Sequence, residues 1–152
     1  MSSPTDLSEP IIETLYCEAL VLADEVRAAF DLIPRPFSAD DDLVRIALSI
    51  EGLRTTTRMM HVLAWLLNHR AYFAGDLSEF QLRRHGTLPP DRPSDPEQLE
   101  LLEPATRDLI AETAAFHERI ARLDGAWRDR FEMRPAAILR MRERLGRAMG
   151  TG

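Results

Sequence analysis

Apolar residues between Asp40 and Ala74 recur on two opposite sides of one helix. At 100° per residue, Leu43, Ile46, Ile50, Leu53, Thr57, Met60, Ala64, Leu67 and Ala71 step alternately by three and four, the spacing of a seam against a partner helix. Val44, Leu48, Thr55, Met59, Val62, Leu66 and Phe73 fall on roughly the other side. A helix with something to bury on both sides is the spine of a bundle. The same spacing appears before it, in Ile12, Leu15, Ala19, Leu22, Val26 and Ala29, and predicts a helix from Glu9 to Leu32. Ser8 suits its N-cap and Pro10 its first turn, and Ile33-Pro34-Arg35-Pro36 ends it. A third long helix is expected from Pro104 to Phe131, with its stripe at Leu109, Thr113, Phe116, Ile120, Leu123 and Trp127. Arg134-Pro135 is expected to break it, leaving a last short helix from Ala136 to Ala148.

Shorter signals fill the gaps. Asp40, Asp41 and Asp42 open the central helix, where carboxylates suit the positive end of the helix dipole, and Gly75 stops it. Asp76 with Glu79 suggests a capping box for a short helix to Arg84, and Ser94, Pro96 and Glu97 open a helical turn toward Leu102. Between them, residues 86–96 hold four prolines and read as an extended, mobile loop. No stretch alternates as a strand does, and no internal repeat or phosphate-binding glycine motif appears. The fold class is therefore all-α: an antiparallel three-helix bundle with short extra helices, divided into a bundle domain at 1–133 and a basic C-terminal segment at 134–152. The central helix is about 50 Å long and its neighbours about 36 to 42 Å. One end of its apolar surface then lacks a cover within the chain, and a symmetric homodimer would supply it.

At 152 residues the chain fits one domain with a real core. It carries 19 basic residues, all arginine, against 25 acidic ones, for a net charge of −6. The balance is uneven: residues 1–118 hold 10 arginines and 21 acids, whereas residues 119–152 hold 9 arginines and 4 acids. That argues against a general polyanion binder and places an interaction surface near the C-terminus. The single Cys17 fits a reducing cytosol and a small buried side chain, the N-terminus has no basic region ahead of an apolar core, and the longest apolar run, Met59 to Leu67, is too short to span a bilayer. The expected setting is cytoplasmic, with no membrane partner.

Catalytic chemistry finds no foothold. His61, His69, His85 and His117 belong to no Glu-x-x-His or His-Glu-x-x-His pattern, and there is neither a cysteine pair nor a Gly-x-Ser-x-Gly elbow. The expectation is a protein without a cofactor, a metal or a catalytic residue. Binding has better candidates. Glu51, Arg54, Arg58, His61, Trp65 and Tyr72 occupy the flank between the two apolar stripes. Glu51 can pair with Arg54 at i,i+3, a polar lock for helix register, while arginine and tryptophan are also the residue types enriched at binding hot spots. Arg140, Arg142 and Arg144, interleaved with Ile138, Met141 and Leu145, form a basic amphipathic segment open to an acidic partner. A protein suits it better than phosphate, since the rest of the chain repels nucleic acid.

The residues Leu15-Tyr16-Cys17-Glu18-Ala19-Leu20, the run from Arg45 to Met60 with its Ser49-Ile50-Glu51-Gly52-Leu53-Arg54-Thr55-Thr56-Thr57-Arg58 core, then Ala64-Trp65-Leu66-Leu67 and Arg70-Ala71 resemble the RcdA family of bacteria, regulators of the degradation of the cell-cycle transcription factor CtrA. The resemblance is best over about residues 10–80. It implies an all-helical, dimeric, non-enzymatic adaptor that helps deliver regulatory proteins to the ClpXP protease. Its partners would be a second copy, the ClpX unfoldase or a companion adaptor, and substrate proteins. The positions that match carry a candidate interaction surface at Glu51, Arg54, Arg58 and Trp65. Gly52 departs from the pattern, where a more helix-favouring residue is expected and glycine is worse than alanine by up to about 1 kcal/mol. The competing reading is a nucleic-acid-associated regulator that uses the arginine-rich C-terminus, which requires steeply salt-dependent binding.

Overall fold

The computed structural model describes residues 7–31 and 39–150, and side chains outside 39–41 and 131–139 within them. The Ile33 to Pro36 breaker lies outside the described residues. Among those described the chain is all-α, in the order α1 (Glu9–Ala29), α2 (Ala39–Phe73), α3 (Glu79–His85), α4 (Pro96–Glu100) and α5 (Pro104–Met149). The α1 seam is buried from Ile12 to Val26 as its spacing requires. Its helix stops three residues early, where the Phe30 N–H bonds the Val26 carbonyl. Ala29 and Cys17 are exposed, so Cys17 is not the core residue expected: it falls on the outer side of α1.

α2 ends in a Schellman motif. Gly75, at φ 83°, lets the Asp76 N–H reach the Ala71 carbonyl at 2.9 Å and its own N–H reach Tyr72 at 3.1 Å. The following helix is capped by Ser78 and Gln81 rather than by Asp76 and Glu79; the Ser78 hydroxyl accepts from the Gln81 N–H while the Gln81 side chain accepts from the Ser78 N–H.

α1 runs antiparallel to α2, with Arg70 bonded to Glu13 at one end and Phe30 packed on Gly52 toward the other. It is antiparallel to α5 as well, where Arg119 bonds Glu18. α5 therefore runs parallel to α2: Arg58 meets Thr113, Trp65 meets Asp124, and His69 meets Trp127 in rising order. This sense is made possible by the segment after α2, which returns along the α2/α5 groove to the other end of the bundle. Leu88 sits beside Asp124, Asp91 beside Arg58, and Asp95 beside Glu51. Seven residues of this return cover the rise of about fourteen helical residues, or about 3 Å each, which is extended backbone. Prolines suit it because no neighbour asks them for an N–H.

Two expectations change here. Residues 86–95 have no regular structure, yet polar contacts tie them to both long helices, so the loop expected to be mobile is anchored along its course. α5 continues through Arg134-Pro135 as one helix to Met149. Proline there leaves one backbone carbonyl without its helical donor, about 3 kcal/mol worse than alanine in an isolated helix, but it does not end this one.

The core lies between α1, α2 and α5 and includes Ile12, Leu15, Leu22, Met59, Val62, Leu66, Phe116 and Ile120. A smaller cluster of Ala47, Leu102 and Ile110 closes the end where α4 lands. Gly52 is explained by packing. A Cβ there would stand 2.9 Å from the Phe30 ring, so glycine is what lets the end of α1 lie flat on α2.

Candidate functional site

Three polar junctions tie the returning segment to the bundle. Arg58 is the central one, buried to 2% exposure. Its Nε donates to both Asp91 carboxylate oxygens at 2.8 and 2.9 Å, its Nη1 to Thr113 Oγ1 at 2.9 Å, and its Nη2 to the Arg92 carbonyl at 3.2 Å. A planar guanidinium with several donors suits such a junction; a lysine could not make it. Thr113 passes the network to the Ile110 carbonyl at 2.7 Å.

Asp124 forms the second junction. One oxygen accepts from Trp65 Nε1 at 2.9 Å, the other from the Leu88 N–H at 3.4 Å, and Arg128 Nε shares both at 3.2 Å. Beside it, the His69 ring stacks on Trp65 with centroids 3.9 Å apart and meets the Trp127 edge at 5.3 Å. Burial pushes the His69 imidazole down to about 4, against the pull of Asp124 and with help from Arg128. The ring is therefore neutral over the physiological range. In the third junction Glu51 is fully buried, and its Oε1 accepts from Arg54 Nη1 at 2.9 Å and from the Asp95 N–H at 3.2 Å. His117 Nε2 adds a 3.1 Å bond to the Pro89 carbonyl.

The interaction surface expected at Glu51, Arg54, Arg58 and Trp65 is thus corrected. The four do share one side of α2, but α5 and the returning segment cover it. Glu51, Arg58 and Trp65 are interior, and only Arg54 is partly open, with its guanidinium committed to Glu51. Glu51, Arg58 and Trp65 lock the crossover from the interior and present no surface to a partner. Asp91, Thr113, His117 and Asp124 complete the locks; in the sequence Thr113 stood only as a stripe position and His117 only as a histidine outside any ligand pattern, and Asp91 and Asp124 went unread. Asp124 alone carries a local signal there, an acid on the α5 stripe between Ile120 and Trp127.

Two other surfaces are open. The first is the α2 stripe itself. Leu43, Ile46, Leu53, Met60 and Leu67 are between 48% and 70% exposed, so the expected intrachain seam is uncovered along its length rather than at one end. The bundle instead buries the opposite stripe, with Met59, Val62 and Leu66, together with the polar flank. The second is the distal part of α5. Trp127 packs at the level of His69, near the end of α2, and α5 runs on for 22 residues, about 33 Å, to Met149. Every residue from Arg140 to Met149 is exposed, including Arg140, Arg142 and Arg144. Met141 and Leu145, at i,i+4, share a face and are 67% and 62% exposed.

The described residues hold no cluster of His, Cys, Asp or Glu fit to bind a metal, and none of their helices is long and apolar enough to cross a membrane. A family model described as a protein of unknown function, DUF1465, matches residues 4–149. The chain belongs to the DUF1465 family. The match spans the bundle and the distal α5 segment together, so the DUF1465 unit includes the exposed basic helix as well as the core. Neither curated proteins nor solved structures include one that matches the chain.

Proposed function

We propose that this protein is a non-enzymatic adaptor of the cytoplasm that helps deliver regulatory proteins to the ClpXP protease in cell-cycle control. The resemblance to the RcdA family supplies the direction of this reading. The observation that carries it is the distal α5 helix, a basic amphipathic arm that extends past a rigid bundle with Arg140, Arg142, Arg144, Met141 and Leu145 all exposed. Such a helix offers an apolar face for docking and a cationic border that selects acidic partners. The bundle, with its crossover pinned at three buried junctions, is a stiff body on which to mount it. The partners are the ClpX unfoldase or a companion adaptor, and the cargo.

Reconstituted degradation tests the proposal. Unfoldase, peptidase, companion adaptor and candidate regulatory substrates are combined with and without this protein, and substrate loss is followed by gel. Faster turnover of at least one substrate is expected. Unchanged turnover of all of them overturns the reading.

A further inference from the structure

We infer that the trough between α1 and α5 is a docking site for a cationic amphipathic helix of a partner protein. Along their outer junction the two helices leave hollows of about 710 and 440 Å³, which share Glu25 and Glu112 and so run together. The floor is apolar. Leu22 and Phe116 reach it from the core, and Leu109 and Ala115 line it beside Val21, which is 62% exposed. From Cys17 to Ala29 the trough is about 18 Å long, room for about three turns of a helix. A helix laid there sets its apolar side chains into a groove that α1 and α5 have already formed.

Charge selects the occupant. Glu25 on α1 and Asp108 and Glu112 on α5 are exposed around one end, and no basic residue lines that end among the described residues. Carboxylates on opposite walls of a cleft repel and concentrate a negative field, so a cation between them is attracted and relieves the repulsion. At the other end the sign changes. Arg119 holds Glu18 at 3.0 Å, and Arg122 lines the same hollow. The trough therefore suits a helix that is basic in one half only, and it gives that helix a direction. Its cationic half lies at Glu25, Asp108 and Glu112, and its other half beside Cys17 and Arg122. Nucleic acid and anionic lipid are repelled by the same carboxylates.

The site lies apart from the distal α5 helix and from the delivery reading: binding is measured without protease, so either can fail alone. The probe is a fluorescent synthetic peptide of about 14 residues, or about 21 Å as a helix. It carries leucine at three-and-four spacing and confines lysine and arginine to its N-terminal half. Anisotropy against the full chain should show binding, and a peptide with glutamate in place of the basic residues should not bind. Glu25→Gln, Asp108→Asn and Glu112→Gln together should weaken binding about tenfold. Asp42→Asn, Asp76→Asn and Asp129→Asn together, which remove as much exposed charge elsewhere, should leave it unchanged. A cysteine at the C-terminal end of the peptide should form a disulfide with Cys17, and one at the N-terminal end should not. No binding, equal binding of the acidic peptide, equal affinities of the two triple variants, or a Cys17 disulfide through the N-terminal cysteine alone overturns the site. A peptide that binds only after residues 140–149 are deleted, because the distal α5 of a second copy fills the trough, overturns the choice of occupant.

Discussion

Arg58→Ala is the substitution most damaging to the crossover. It removes the donor to both Asp91 oxygens, to Thr113 and to the Arg92 carbonyl in one step. Breaking a buried ion pair from one side destabilises by roughly 3–5 kcal/mol, because the remaining charge is stranded. Asp91 keeps 25% of its side chain exposed, so water recovers part of this, and the expected loss is about 3 kcal/mol. For a chain of this length that lowers the thermal midpoint by roughly 6–12 °C. Arg58→Lys keeps the Asp91 charge contact but not the fork to Thr113 and Arg92, and should lose about 1–2 kcal/mol. Urea unfolding followed by circular dichroism gives the loss, and amide exchange reads the loop: the Leu88 and Asp95 N–H groups should exchange faster in the alanine variant. A loss under about 1 kcal/mol with unchanged exchange at both amides would refute the view that Arg58 pins the returning segment.

Further outcomes follow from single contacts. Gly52→Ala should yield less than the helix-propensity gain of up to about 1 kcal/mol, because its Cβ meets the Phe30 ring at 2.9 Å; with Phe30→Ala the full gain should return, and a double-mutant cycle of urea midpoints that shows no coupling contradicts this contact. His69 has its proton affinity lowered to about 4 from 6.5, so it favours the fold in its neutral form. That contribution is complete above pH 6.5 and is lost as pH falls toward 4, a change of about 3 kcal/mol. His69→Phe should flatten the stability profile in that window, and equal slopes in both proteins rule out His69 as its source.

The three long helices were legible because each keeps its apolar residues on a three-and-four spacing for many turns, a signal that depends on the helix alone. What that spacing does not contain is which side a neighbour covers. Glu51, Arg58 and Trp65 were read correctly as one polar flank of α2, but their burial depends on α5 running parallel to α2, and that direction is set by a crossover held through isolated long-range bonds such as Asp91 to Arg58 and Leu88 to Asp124. Such contacts leave no periodic trace. For the same reason four prolines suggested looseness in residues 86–96, although they suit an extended segment whose hydrogen bonds run through side chains and carbonyls. Pro135 misled in the other direction: the local rule for proline weighs one lost hydrogen bond, and α5 continues regardless. Gly52 became readable only once the Phe30 ring lay against it.

In the proposed function the partner-facing chemistry lies on the distal α5 helix and not at the interior junctions. Charge reversal of Arg140, Arg142 and Arg144 to glutamate, assayed in the reconstituted degradation reaction, tests that assignment most directly. These side chains are exposed, so the variant should keep the helicity and thermal midpoint of the unmodified protein while substrate turnover falls to the rate seen without the protein. Turnover that stays at the unmodified rate would contradict the assignment.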